Sequence, residues 1–382
     1  MILSLCKRLI KLNFCQLFSY RNSFISICDL PKICPTYSTL IELKINVATI
    51  NDCLYLLDGR FDSLSKLIIN VKHIKHQLKQ KLNKTKLPEL KYFSLTSINF
   101  TCCFDKYIIP LLCRMINLKE LTLFIGVIRV DSTLIDGTEL YDQVLVHMSH
   151  LNKFVFSINT SVLIMNNEID LPSNEDIQNS FIGREYGEVG SYVHLEPRTA
   201  EDEIDFKQVK AISRSHIYSR PYEFESFLHL NNSFQGGMFV NVQYLTMIDS
   251  YPFEHQFFKT ISDSFPFLKS LTMSNDGPQK NKQHSSTLIS FPHLNLLNLV
   301  DAHDDYAKQF LVDTKTHLPC LLDLCITYES LEIVTNNFAN DATRLYCSKL
   351  KGLHIDKPYV RPKHFDEYFC LLLHMSKFRD EF

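Results

Sequence analysis

The sequence lacks the short motifs that announce common chemistries. It contains no GxxxxGKS/T phosphate cradle, no GxGxxG after a strand pattern, no HExxH, no GxSxG and no CxxC pair. No catalytic constellation is therefore legible, and the expectation is a protein that is not an enzyme, with no cofactor and no bound metal. A dominant charge is missing too. Forty basic against 42 acidic residues leave a formal net charge of −2, so no global field points to nucleic acid or an anionic membrane.

Long apolar runs are absent as well. The longer uncharged stretch, 154–167, is too short to cross a bilayer and includes Ser, Thr and Asn. A soluble protein with no membrane partner is expected. The first 28 residues hold no acid and carry Lys7, Arg8, Lys11 and Arg21. A transit peptide would fit that bias, but Ile2, Leu5, Leu9 and Leu12 fall near one helical face, and a terminal helix is the preferred reading. Lys7 and Arg8 break the apolar run that a secretory signal would need. Cysteine is missing between Cys113 and Cys320, and the 12 cysteines are otherwise scattered. Disulfide frameworks belong to short secreted domains, so reduced thiols in a cytoplasmic or nuclear protein are expected.

What the sequence does contain is an echo. SFPFLKSLTM (264–273) and SFPHLNLLNL (290–299) share one skeleton, and L-x-x-L-x-apolar recurs through the chain. Its copies begin at Leu40, Leu64, Leu90, Leu118 and Leu151, then at Val242, Leu268, Leu294, Leu321 and Leu350. Successive spacings are 24, 26, 28 and 33 residues in the first run and 26, 26, 27 and 29 in the second. The fourth and sixth positions point to one side of a short strand, because strand side chains alternate. Segments between the strands are amphipathic, as in PFEHQFFKTIS and DDYAKQFLVD, and read as helices. Pro88, Pro266, Pro292 and Pro319 stand just before the first Leu, where a helix must stop and an extended segment begin.

Between the two runs, 191–195 and 215–219 alternate as strands and read as further rungs, whereas EFESFLHLNNSF (223–234) has helical spacing. Residues 168–205 carry 11 acids against Arg184 and Arg198, with TAEDEID (199–205) the segment expected to be disordered. The GREYGEVG glycines are too open in spacing to cradle phosphate. The pairs His73/His76 and His147/His150 lack a nearby acid, and Asp304 or Asp305 suits a helix N-cap better than a metal site. Residues 72–86 read as a helix with Ile74, Leu78 and Leu82 on the core and a basic face in water; without interleaved aromatics, nucleic acid is an unfavoured partner.

The strand-and-helix units, together with phrases such as SHIYSRPYEFESF, NNSFQGGMF and NFANDATRLYCSKLKGLHI, resemble the irregular leucine-rich repeats of F-box/leucine-rich-repeat proteins, which are ribonuclease-inhibitor-like. The resemblance covers about residues 34–370. It implies an α/β leucine-rich-repeat solenoid, a horseshoe of about twelve irregular repeats with parallel strands on the concave side and helices on the convex side. Four segments follow: 1–33, a helical cap or F-box remnant; 34–160, the first repeats; 161–214, an irregular repeat with the acidic, partly mobile excursion; and 215–382, the last repeats and cap. The resemblance implies an F-box, expected either to have been lost or to lie upstream of Met1. The Asn or Cys expected three residues after the last strand apolar is replaced, for example by Ala48, Lys72 and Gly126, so uneven geometry is expected.

On such a concave face the partner-binding residues would be Tyr92, Phe124, Tyr244, Thr272, Leu296, Asn298, Asp323 and His354. The expected function is non-catalytic protein recognition, as the substrate-recognition part of an SCF-type ubiquitin ligase. The alternative is a free-standing repeat scaffold or inhibitor without that link. A protein partner would sit on the concave surface, and a ligase adaptor would bind only through an F-box.

Overall fold

A computed structural model describes residues 9–14, 24–28, 39–75, 83–165, 170–184, 187–197, 209–281, 287–356, 361–362, 364–372 and 374–377. The chain divides into two compact units, Met1–Arg220 and Pro221–Phe382. Among the described residues no helix is long and apolar enough to cross a membrane.

The first unit is built on one eight-stranded sheet. Strands β1 (Lys11–Phe14), β2 (Glu42–Thr49), β3 (Lys66–His73), β4 (Tyr92–Thr101), β5 (Glu120–Val130) and β6 (Lys153–Ile164) run parallel in chain order. Then β7 (Glu188–Pro197) and β8 (Ala211–Arg220) close the edge antiparallel, in the order β6-β8-β7. The skeleton's apolar positions fall in register: Leu43, Leu67, Phe93, Leu121 and Phe154 form one row, and Ile45, Ile69, Leu95, Leu123 and Phe156 the next. Leu67, Ile69, Leu95, Leu121, Leu123 and Phe156 are wholly buried. Each such side chain contributes about 2 kcal/mol by leaving water, which no single strand could turn into a stable fold against the entropy of ordering its chain.

The second unit holds β9 (Ser226–Leu230), β10 (Tyr244–Ile248), β11 (Ser270–Asn275), β12 (Ile289–Ser290), β13 (Leu296–Ala302), β14 (Thr316–His317), β15 (Asp323–Ile326), β16 (Gly352–Ile355) and β17 (His374–Lys377). Seven of them make a parallel sheet in the order β17-β16-β15-β13-β11-β10-β9, and β12 pairs with β14 apart from it. Helices His255–Ser264, Asp304–Leu311, Tyr328–Thr335 and Asp341–Cys347 fill the connections. Their cores are aromatic: Phe258 meets Tyr306 and Phe310 edge-on, with ring centroids 6.1 and 5.0 Å apart.

One turn feeds the strands in both units. The amide of Leu268 donates to the Phe265 carbonyl at 3.2 Å, that of Leu294 to Phe291 at 3.3 Å, and that of Leu321 to Leu318 at 3.4 Å. The same three-residue return occurs at Leu64, Leu90, Leu118, Leu151, Val242 and Leu350. Pro88, Pro266, Pro292 and Pro319 occupy the second position of this turn, where their fixed φ is already the required one.

Several expectations are corrected. The chain does not form one helix-backed leucine-rich-repeat horseshoe of about twelve turns. It forms two sheet-rich units, and the first has few helices. In that unit the strands lengthen to 11 residues in β5 and 12 in β6. Among its described connections the helices are short: Ile50–Leu56, the π turn Phe104–Ile108 running into Ile109–Leu112, Gly137–Gln143 followed by the 3-10 turn Leu145–His147, and Asn174–Asn179. Residues 191–195 and 215–219 are not parallel rungs but lie in the antiparallel pair β7 and β8. The segment 223–234 is not a helix; pairing of Ser226 and Phe227 with β10 overrides its spacing and makes its middle, Ser226–Leu230, strand β9. Leu12 lies in strand β1 rather than on a terminal helix. The cap of helix Asp304–Leu311 is His303, whose Nδ1 accepts from the Asp305 amide at 3.2 Å, not Asp304 or Asp305.

Some expectations fall outside the described residues: most of the segment 1–33, residues 76–82 of the basic stretch, and TAEDEID at 199–205. Of the basic stretch, Lys72 and His73 end β3 and Ile74 is buried. Two of the GREYGEVG glycines, Gly183 and Gly187, take positive φ of 76° and 74°, and Gly190 lies in β7.

Candidate protein-binding face

The second unit's sheet brings six of the eight expected residues onto one face. Alternation turns Leu245, Met247, Leu271, Met273, Leu297 and Leu324 into the core, all at 1% exposure or less. Their neighbours point the other way. In one row, registers link Tyr244, Ser270, Leu296, Asp323 and Gly352. The adjacent row links Thr246, Thr272, Asn298, Cys325 and His354. Parallel strands stand about 4.8 Å apart, so each row is a ladder of side chains at close spacing.

Along these rows Tyr244, Leu296, Asp323, Thr246, Thr272 and His354 are half-buried. Asn298 is not open to solvent: it is 5% exposed and its Oδ1 accepts from the Val300 amide at 3.1 Å. Cys325 is equally buried, and burial pushes its thiol up to about 12, with the Asp323 carboxylate acting in the same direction. It is thus an inert thiol at neutral pH. The two rows form a partly open strip of aromatic, aliphatic and hydrogen-bonding groups over a closed floor.

The remaining two residues sit in the first unit. Tyr92 is half-buried in the row Glu42, Lys66, Tyr92, Glu120. Lys66 Nζ lies 5.7 Å from its ring centroid, within reach of a cation–π contact. Phe124 is corrected as a surface residue. Its row is Asn46, Asn70, Thr96, Phe124 and Ser157, all at 9% exposure or less, and Phe124 itself is at 2%. Within that row Asn70 Nδ2 donates to Asn46 Oδ1 at 2.7 Å.

Two arrangements were not anticipated from the sequence. The first is an acidic cavity of about 810 Å³ in the first unit, lined among others by Asp105, Asp136, Glu139, Asp142, Asp170 and Asp176. Arg129 reaches it from β5, only 7% of its side chain exposed. Its Nη1 donates to Glu139 Oε2 at 2.8 Å, and its Nη2 contacts both Glu139 and Asp105. Burial alone would lower the Arg129 pKa, but these carboxylates hold it above its ordinary value. The acid-rich stretch DSTLIDGTELYD carried part of this signal, but Asp105 and Arg129 join only through the fold.

The second is a serine–histidine pair. Ser157 Oγ lies 2.8 Å from His216 Nε2 across the β6–β8 ladder. Exposures of 1% and 0% place it in the interior rather than in an open cleft. Tyr192 and Tyr218 pack on the imidazole with ring centroids 5.5 and 5.0 Å away. The pair satisfies buried polar groups where an antiparallel edge joins a parallel sheet.

No protein-family model matches the sequence, and a search of curated proteins finds no match.

Proposed function

We propose that the chain is a non-catalytic protein-recognition module whose partner docks on the open face of the second unit's sheet. The observation that carries this reading is the pair of adjacent rows on β10, β11, β13, β15 and β16, where half-buried Tyr244 and Leu296 alternate with Thr272, Asp323 and His354. Binding surfaces draw their energy from a few aromatic and aliphatic anchors ringed by polar groups that fix register. Tyr244 and Leu296 are the anchors, and Asp323 and His354 set the chemistry of what fits.

The test is photo-crosslinking in cells. A crosslinkable residue placed at Thr246 or Thr272 captures a discrete protein, one placed at exposed Gln256 on the helix His255–Ser264 does not, and Tyr244→Asp abolishes capture. Equal labelling from all three positions rejects the reading. The resemblance to F-box/leucine-rich-repeat proteins makes the partner a ubiquitin-ligase substrate, and co-purification with the ligase adaptor tests that role. Without the adaptor, the function is that of a scaffold or inhibitor.

A further inference from the structure

Cys102 and Cys103 follow each other just after β4, one exposed and the other wholly buried, with their sulfurs 3.8 Å apart. The backbone that carries them is fixed from both sides. Thr101 Oγ1 donates to the Ile74 carbonyl at 2.7 Å and accepts from the Cys103 amide at 2.9 Å, all within the interior. The next residue, Phe104, is 1% exposed and opens the π turn Phe104–Ile108, which anchors the far side.

A disulfide between the two sulfurs is disfavoured. Consecutive Cα atoms stand about 3.8 Å apart, below the roughly 4.4–6.8 Å that ordinary disulfides span. Closure would strain a segment that Thr101 and Phe104 hold in place. An atom bound to both sulfurs meets no such obstacle. Such an atom bridges the observed 3.8 Å gap instead of closing it to a sulfur–sulfur bond. A four-coordinate metal ion would need more ligands. Among the described residues, no third histidine, cysteine or carboxylate lies with these sulfurs in a metal-sized cluster.

We infer that Cys102 and Cys103 form a vicinal-dithiol site that captures monosubstituted trivalent arsenicals, the thiophilic centre whose valence two sulfurs complete. With an arenearsine oxide the chemistry balances without an oxidant. Two S–H bonds break, two As–S bonds form, and the arsenic-bound oxygen leaves with both protons as water while arsenic stays trivalent. Exposed Cys102 reacts first, and Cys103 then closes the ring from within the same turn. Burial raises the Cys103 thiol, and the adjacent Cys102 reinforces this, so the buried sulfur stays protonated until that second step.

Phenylarsine oxide tests the site on the full-length, reduced chain by intact mass and peptide mapping. The expected result is a single adduct on the peptide containing Cys102 and Cys103, stable to a monothiol wash and removed by 2,3-dimercaptopropanol. Cys102→Ala and Cys103→Ala each lose the wash-stable adduct, whereas Cys320→Ala keeps it. Should Cys103→Ala fail to fold, Cys102→Ala at its exposed position decides alone. A wash-stable adduct that persists in Cys102→Ala, maps elsewhere, or never forms overturns the inference.

Discussion

Thr272 and Asn298 are paired across β11 and β13, yet the first is half-buried and the second 5% exposed. Neighbours on the same face thus have different roles. Asn298 holds the Val300 amide and belongs to the floor, while Thr272 belongs to the surface. Asn298→Ala is expected to destabilise the second unit by about 1 kcal/mol, the usual net value of a buried hydrogen bond. Thr272→Ala is expected to leave the urea midpoint unchanged. Equilibrium denaturation of both variants checks the difference.

Asp52 contributes to the acid limb of stability. It is wholly buried, and its Oδ1 accepts from the Ile27 and Cys28 amides at 2.6 and 2.8 Å while its Oδ2 accepts from the Thr49 amide and hydroxyl at 2.9 and 2.7 Å. Burial by itself would raise the carboxyl, but these donors hold it below its usual 3.8. A depressed folded pKa gives stability that is present above the unfolded value and lost as pH falls through the folded one. Asp52→Asn should cost about 2 kcal/mol at neutral pH and flatten the stability slope below about pH 4. Urea titrations from neutral pH downward measure both effects.

Arg129 is the charged anchor of the first unit. Replacing it with Met leaves Glu139, whose side chain is only 16% exposed, facing Asp105 without a cation. Removing one partner of a buried ion pair typically costs about 3 kcal/mol or more, and the partial exposure of Glu139 places this variant near that lower value. The Arg129→Met, Glu139→Leu double variant should recover most of the loss. Thermal melts of the single and double variants read this directly.

Gly190 in β7 lies against the Tyr218 ring, and a Cβ there would overlap it. Gly190→Ala should therefore destabilise the antiparallel edge by about 1–3 kcal/mol, as overpacking does. Tyr218→Leu, which removes the ring edge, should reduce the penalty of Gly190→Ala. A double-mutant cycle gives the coupling.

Strand positions were legible in the sequence because alternation and the Leu-x-x-Leu spacing are local properties. Each of the ten skeletons lies on a strand, and nine begin with the same carbonyl-to-amide turn. The layers around the strands were not legible. EFESFLHLNNSF carries a helical spacing that strand pairing with β10 overrules, and the 188–220 hairpin reverses direction only because β8 finds β6. Burial on the non-core face also escaped the pattern. Phe124 and Ile248 both follow the last apolar residue of their skeletons, yet Phe124 is closed over and Ile248 is half-open. The Arg129 cluster joins residues 24 and 10 positions apart through the fold, beyond any short motif.

The recognition face is tested most directly by comparing Tyr244→Asp with Phe124→Asp in one assay that reads folding by circular dichroism and partner capture by photo-crosslinking at Thr272. A protein-binding sheet in the second unit predicts that Tyr244→Asp retains the wild-type spectrum and loses the crosslink, whereas Phe124→Asp, at a buried position, loses the fold of the first unit. Undiminished crosslinking by a folded Tyr244→Asp variant would contradict it.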